Sequence, residues 1–173
     1  VPAAIMLDNA QGFTADALHY ARSLSPVAAA LALLQPQSNF SGVQHDLRWI
    51  EVAQAHGWDV LLDASAFVPT NRLDLRACSP DFVALSFYKM FGYPIGVGAL
   101  IARRSALARL RRPWFAGGTI TFSSVSAFGH YLTPGPSGYE DGTINYLSLP
   151  AVGIGLRWLE RIKVSHNVAS YVG

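Results

Sequence analysis

The sequence predicts an α/β fold, a mainly parallel sheet flanked by helices, on three observations. Apolar runs at 28–34, 59–63, 81–86 and 97–103 have the length of strands. A segment with apolar residues at helical spacing separates the first two runs, and another lies near the end of the chain. Strands that alternate with helices build parallel sheets, because a parallel return needs a crossover long enough to hold a helix.

The first run, ending Ala28-Ala-Ala-Leu-Ala-Leu-Leu34, stops at Gln35-Pro36. A continuous apolar run ended by proline fits a strand buried on both faces, with a short helix as the alternative. After the loop Gln37-Ser-Asn-Phe-Ser-Gly42, Leu47, Ile50, Val52 and Ala53 precede His56-Gly57, which predicts a helix capped by Asp46 and stopped by glycine. Asp59–Asp63, Asp81–Ser86 and Val97–Arg103 read as strands, the last followed by a short helix from Ser105 to Leu110. From Pro113 to Gly142 glycine, serine, threonine and proline dominate, with short strands near Thr119–Phe122 and Phe128–Leu132. Trp114, Phe115, Phe122, Phe128 and Tyr131 make this stretch ordered loop and not a solvated linker. Tyr146–Ile162 closes with a helix whose apolar positions are Leu149, Val152, Leu156 and Leu159. No internal repeat interrupts this order.

Composition bounds the function. At 173 residues and 51% apolar, the chain can bury one core, so residues 1–173 read as one compact domain or a large piece of one. Thirteen basic residues against eleven acidic ones, with no basic run beyond Arg109, Arg111 and Arg112, leave no nucleic-acid footprint. The longest apolar stretch, Val27–Leu34, is far below the roughly 20 residues that span a bilayer, so no membrane partner is expected. Cys78 is the single cysteine, which excludes an intrachain disulfide and a cysteine zinc site and suits a reducing cytoplasm. His19, His45, His56, His130 and His166 show no ligand spacing, so no metal site is expected. The start at Val1 and the stop at Gly173, soon after a helical pattern, read as the ends of a fragment.

In open α/β sheets ligands bind where the strands end at their carboxyl edge. Asn39 follows the first strand, Asp63 closes the second, and Ser86 closes the third with Lys89 directly beyond. Lys89 sits in Ser86-Phe-Tyr-Lys-Met-Phe-Gly-Tyr93, in a chain with two lysines and eleven arginines. A guanidinium stays protonated, whereas a lysine amine desolvated among apolar groups can form a Schiff base with an aldehyde cofactor. A snorkelling lysine whose stem covers Phe87 or Phe91 weighs equally on spacing alone. Asp63 closes a buried strand, where an unpaired carboxylate is costly and asks for a cation. A protonated pyridine nitrogen would serve; a turn cap or a pair with Arg72 is the structural alternative. The glycines of Gly92-Tyr-Pro-Ile-Gly96-Val-Gly98 precede a strand and mark a turn, not a dinucleotide fingerprint. Cys78, near Arg76, reads as a small core or surface residue.

Four of these segments, taken in order, resemble the class V aminotransferase/cysteine desulfurase family, enzymes of pyridoxal-phosphate fold type I. They are Gln37-Ser-Asn-Phe-Ser-Gly42, Leu61-Leu-Asp-Ala-Ser65, Ser86-Phe-Tyr-Lys-Met-Phe-Gly-Tyr-Pro94 with Gly96-Val-Gly-Ala-Leu100, and Tyr139-Glu-Asp-Gly-Thr-Ile-Asn145. The resemblance covers roughly Gln35 to Ile162 and is greatest to the desulfurase domain of molybdenum cofactor sulfurases. It implies pyridoxal 5'-phosphate held by Lys89, with Asp63 on the pyridine nitrogen and Asn39 on the ring hydroxyl. Ser86 and Tyr88 would bind the phosphate, and Thr143 would reach the phosphate of a neighbouring subunit, so a homodimer is implied. Tyr88 stands where many desulfurases have histidine. Ala66 and Ile95 replace a glutamine and a threonine usual in the family. The resemblance further implies an amino-acid substrate, L-cysteine, sulfur passed onto an enzyme cysteine, and molybdenum cofactor as acceptor. The alternatives are another class V lyase or aminotransferase, or a noncatalytic remnant or interaction module that keeps the fold. The chain then reads as part of a cofactor-binding large domain, with the family's phosphate loop upstream of Val1 and its small domain, nucleophilic cysteine and substrate-binding arginine beyond Gly173.

Overall fold

The computed structural model describes residues 3–7, 30–112, 114–127 and 129–162. Five strands form one sheet in the order β1 (Ala3–Leu7), β2 (Ala30–Leu34), β3 (Asp59–Asp63), β4 (Phe82–Ser86) and β5 (Gly98–Ala102). The first four run parallel, and β5 returns antiparallel beside β4. The mainly parallel sheet expected from the sequence is therefore present. The reversal at β5 follows from its connection: α2 (Phe87–Phe91) is a single helical turn, and the chain then doubles back through Gly92 and Gly96. A parallel return would need a crossover of about a dozen residues or more carrying a packed helix. Neither β1 nor α2 was legible as an element in the sequence. Ala28, Ala29, Pro113 and Phe128, counted above in runs or loops, lie outside the described residues.

The alternation of β3 sets the core. Val60 and Leu62 point to one face and are buried, while Asp59, Leu61 and Asp63 point to the other and are half-buried. α1 (Arg48–Ala55) lies over the first face, and Ile50 and Ala53 join Leu34, Trp58, Val60, Leu62, Ala64, Cys78 and Val83 in one apolar cluster. Burying each large aliphatic side chain there stabilises the fold by roughly 1.5–3 kcal/mol. Asp46 does cap α1, from one position earlier than a side-chain N-cap: the helix cap residue is Leu47, and the Arg48 N–H donates to Asp46 Oδ1 at 2.8 Å. The Arg48 guanidinium bonded to the same carboxylate holds it below the usual carboxylate range.

At the amino edge of the sheet the buried Asp81 accepts from the Val60 N–H at 2.9 Å and from Gln54 Nε2 at 3.0 Å. Arg109, on α3 (Arg104–Arg109), pairs with Asp59 and approaches Asp81 at 3.8 Å. Beyond α3 the hairpin β6 (Ile120–Ser123) and β7 (His130–Leu132) forms a separate two-stranded sheet, and α4 (Leu149–Arg161) packs back on α2. The closing helix starts three residues later than expected, after turns at Ile144–Tyr146 and Asn145–Ser148 that use the backbone groups of that stretch.

Candidate functional site

Pleat and register bring Asp63 and Ser86 onto one face. Asp63 pairs with Ala84, so both point away from the α1 core, and Ser86, two residues on, points the same way. A strand spacing of about 4.8 Å and a rise of about 3.3 Å per residue put their Cα atoms roughly 8 Å apart. Asp63 Oδ1 accepts the Ser65 N–H at 3.1 Å, so the turn cap weighed above exists. Among the described residues Asp63 makes no ion pair, and the alternative partner Arg72 does not engage it. A carboxylate has about four acceptor sites, so one cap leaves it able to accept more.

Ser86 ends β4 and is the N-cap of α2, where its hydroxyl makes no capping hydrogen bond. Tyr88 and Lys89 follow on this single turn, both exposed. Phe87 and Phe91 stack with centroids 6.2 Å apart, on one side of the turn. Lys89 lies two residues from each, about 200° round the helix, so its stem does not cover either ring. The apolar enclosure expected for the amine is also not found among the described residues: α2 is one turn at the lip of the sheet and buries none of its residues. Gly92, at φ 80°, ends the turn in the left-handed region that glycine alone enters without strain. What fixes α2 is Phe91, whose ring sits where a Cβ on Gly155 of α4 would be.

Asn39 lies in the loop that follows β2 at the same carboxyl edge. That loop is closed by Ser38 N–H to Val43 O at 2.9 Å, Gly42 N–H to Ser38 O at 3.0 Å and His45 N–H to Pro36 O at 2.9 Å. Ser38 Oγ accepts the N–H groups of Phe40 and Ser41, and Ser41 Oγ that of Val43. The loop hydroxyls thus hold the loop, while the exposed Asn39 carboxamide has no hydrogen bond among the described residues.

Thr143 is exposed and comes from a different segment. Its loop is anchored by Arg112, which is 8% exposed, donates to Gly138 O at 2.8 Å, pairs with Asp141 and lies over the rings of Trp114 and Tyr139. Ile144 and Asn145 line a cleft of about 510 Å³ with Gly96 and Gly98, and Gly98 faces Ser86 across the β4–β5 edge. Asp63, Ser86, Tyr88, Lys89 and Asn39 therefore belong to one carboxyl edge, and Thr143 to a neighbouring loop. Sequence reasoning missed Arg112, Asn71 and Gly155; only Gly155 carried a local signal, a glycine inside a helical pattern.

Cys78 is buried in the core, and its thiol donates to Asp74 O at 3.4 Å. Burial, and then the Asp74 carboxylate, push the thiol above its ordinary range, opposite to any effect of the nearby Arg76. No three His, Cys, Asp or Glu side chains group to hold a metal ion among the described residues, and no described helix is long and apolar enough to cross a membrane. His19 and His166 lie outside the described residues.

Comparison with known proteins finds both sequence relatives and similar folds. The human molybdenum cofactor sulfurase is 44% identical over 138 residues, covering 73% of this chain and 15% of the relative. That of Drosophila persimilis is 40% identical over 168 residues, covering 83% of this chain and 21% of the relative. This chain thus spans about a fifth or less of their length. A cysteine desulfurase from Thermococcus onnurineus NA1 superimposes with a TM-score of 0.73 at 26% identity, covering 91% of this chain and 38% of that one. One from Escherichia coli gives 0.71 at 26%, covering 88% and 37%. The sequence profile described as Aminotransferase class-V matches residues 5–171. The match along nearly its whole length establishes that this chain belongs to the class V aminotransferase family.

Proposed function

We propose that this chain supplies the cofactor-binding edge of a pyridoxal-phosphate enzyme of the cysteine desulfurase type, in which the sulfur of L-cysteine passes to an enzyme thiol as a persulfide and alanine is released. The observation that carries the reading is the common carboxyl edge of Asp63, Ser86, Lys89 and the Asn39 loop. The donor set fits the cofactor: an amine, a carboxylate, a carboxamide and a hydroxyl, each with hydrogen-bonding capacity to spare among the described residues. Lys89 would hold the cofactor, Asp63 its pyridine nitrogen, Asn39 its ring hydroxyl, and Ser86 and Tyr88 its phosphate. Thr143 would meet the phosphate bound by a second copy in a homodimer.

When bound, the cofactor supplies an electron sink for the carbon that bears the substrate amine. Asp63 would keep the pyridine nitrogen protonated, because a carboxylate within hydrogen-bond reach favours the charged partner. The Lys89 amine, on α2 beyond Ser86, would take up the substrate α-proton and return it. Molybdenum cofactor as sulfur acceptor, in a reducing cytoplasm, is the narrower form of this proposal and rests on the names of the relatives. A different class V lyase or aminotransferase is the second reading. It is favoured because the residues gathered at this edge address the cofactor and not the substrate.

The test exploits the presence of only two lysines, Lys89 and Lys163. Pyridoxal phosphate added to the chain and trapped with borohydride should label the Lys89 peptide, and Lys89→Arg should abolish both this label and the visible absorbance of bound cofactor. Arginine keeps the charge and loses the nucleophile. Labelling confined to Lys163, or absorbance unchanged in Lys89→Arg, refutes the assignment.

A further inference from the structure

The loop that presents Asn39 is tied to the turn that follows Asp63 by one side chain to which sequence comparison gives no role. Asn71 donates through Nδ2 to Gln37 Oε1 at 3.0 Å and accepts from Gln44 Nε2 at 2.9 Å. Gln37 and Gln44 are the two ends of the loop, bridged to each other across its base. The same Nδ2 contacts Phe67 O at 3.2 Å and Thr70 Oγ1 at 3.0 Å, and the Asn71 N–H donates to Phe67 O at 2.9 Å. The Phe67–Asn71 turn is in turn continuous with β3 through Ala64, whose N–H donates to Ala84 O at 3.1 Å and whose carbonyl accepts from Phe67 and Val68. A rigid path therefore runs from the β3 end, where Asp63 sits, through Asn71 to both feet of the Asn39 loop.

The chemistry of the carboxamide suits this task. It is short, it offers a donor and an acceptor on one plane, and its two ends are engaged by the two feet in opposite senses. An aspartate would lose the donors, and an aliphatic residue would lose every side-chain bond. We propose that Asn71 is a positioning residue, which sets the Asn39 carboxamide against the Asp63 carboxylate so that both address one ring. The proposal rests on the cofactor reading above for the identity of that ring, while the clamp itself rests on the hydrogen bonds alone.

Two measurements on the whole chain test it. Backbone hydrogen exchange in Asn71→Leu should speed up about tenfold over residues 37–44, while α1 and β3 keep their protection. The pyridoxal phosphate concentration that half-saturates the visible absorbance should rise several-fold in Asn71→Leu. In an Asn39→Ala background the same substitution should add almost nothing, because the group it positions is gone. A merely structural Asn71 would weaken binding equally in both backgrounds, and that result overturns the proposal, as does unchanged exchange over 37–44. Should Asn71→Leu lose protection throughout, Gln44→Ala, which cuts one foot and leaves the Phe67–Asn71 turn intact, is judged by the same criteria. If the unaltered chain takes no label at Lys89, the cofactor reading fails, whereas the clamp still stands or falls by exchange.

Discussion

Gly155→Ala places two opposing effects in one atom. An alanine in a helix interior is about 1 kcal/mol more favourable than glycine, so propensity alone predicts a more stable protein. The structure predicts the reverse. A Cβ on Gly155 would lie 2.4, 2.5 and 2.6 Å from Cδ2, Cε2 and Cγ of Phe91. Ordinary carbon contacts begin near 3.5 Å, so about 1 Å of separation must be found. Cγ is the root of the ring, not a flexible tip, and the ring is stacked on Phe87, so relief requires moving α2 as a body. Overpacking of this kind costs about 1–3 kcal/mol, which offsets the gain in propensity and leaves a net loss of up to about 2 kcal/mol. For a chain of this length that lowers Tm by up to roughly 8 °C. Lys89 rides on the same turn, so cofactor capture at Lys89 should slow as well. The assay is thermal and denaturant unfolding of four chains: unaltered, Gly155→Ala, Phe91→Ala and the double variant. With the ring removed, Gly155→Ala should become stabilising by about 0.5–1 kcal/mol. A Gly155→Ala chain that is more stable in the presence of Phe91 would refute the packing argument.

The remaining predictions concern charge. Asp63→Asn should retain cofactor but slow turnover of the intact enzyme strongly, since a neutral partner no longer holds the pyridine nitrogen protonated; wild-type rates would remove Asp63 from the mechanism. Asp81→Ala should destabilise the fold by about 2–3 kcal/mol in denaturant titrations, because the buried Val60 N–H loses a charged acceptor; a change under about 0.5 kcal/mol would show that water replaces it. Cys78 should react with thiol reagents far more slowly in the folded chain than in denaturant, and the chain by itself should release no alanine or sulfide from L-cysteine. Turnover that vanishes in Cys78→Ala would show the nucleophile to be misplaced. The folded state holds the Cys78 proton more tightly than the unfolded one. Its contribution to stability is therefore present below the ordinary thiol range and is lost as pH rises through the folded value, which unfolding measured from neutral to alkaline pH will detect.

What the sequence determined by itself is local or periodic. The apolar run in Asp59–Asp63, the apolar spacing before His56-Gly57 and the polar residues that close successive runs follow from strand burial, the helical repeat and the cost of burying backbone, so they were legible without partners. Lys89 stood out because so few lysines occur among so many arginines. The tertiary structure decided matters in which distant residues meet. The antiparallel return of β5 depended on a one-turn α2 that is too short to carry a periodic signal. The same shortness leaves Lys89 exposed at the lip of the sheet, although its aromatic neighbours in sequence had suggested enclosure. Asn71, Arg112 and Gly155 act across 26 to 64 residues, on Gln44, Gln37, Gly138, Asp141 and Phe91. No local pattern marks such contacts, because a hydrogen bond or a ring placed against a glycine is set by how strands and helices are stacked, and that stacking exists only once the chain has folded.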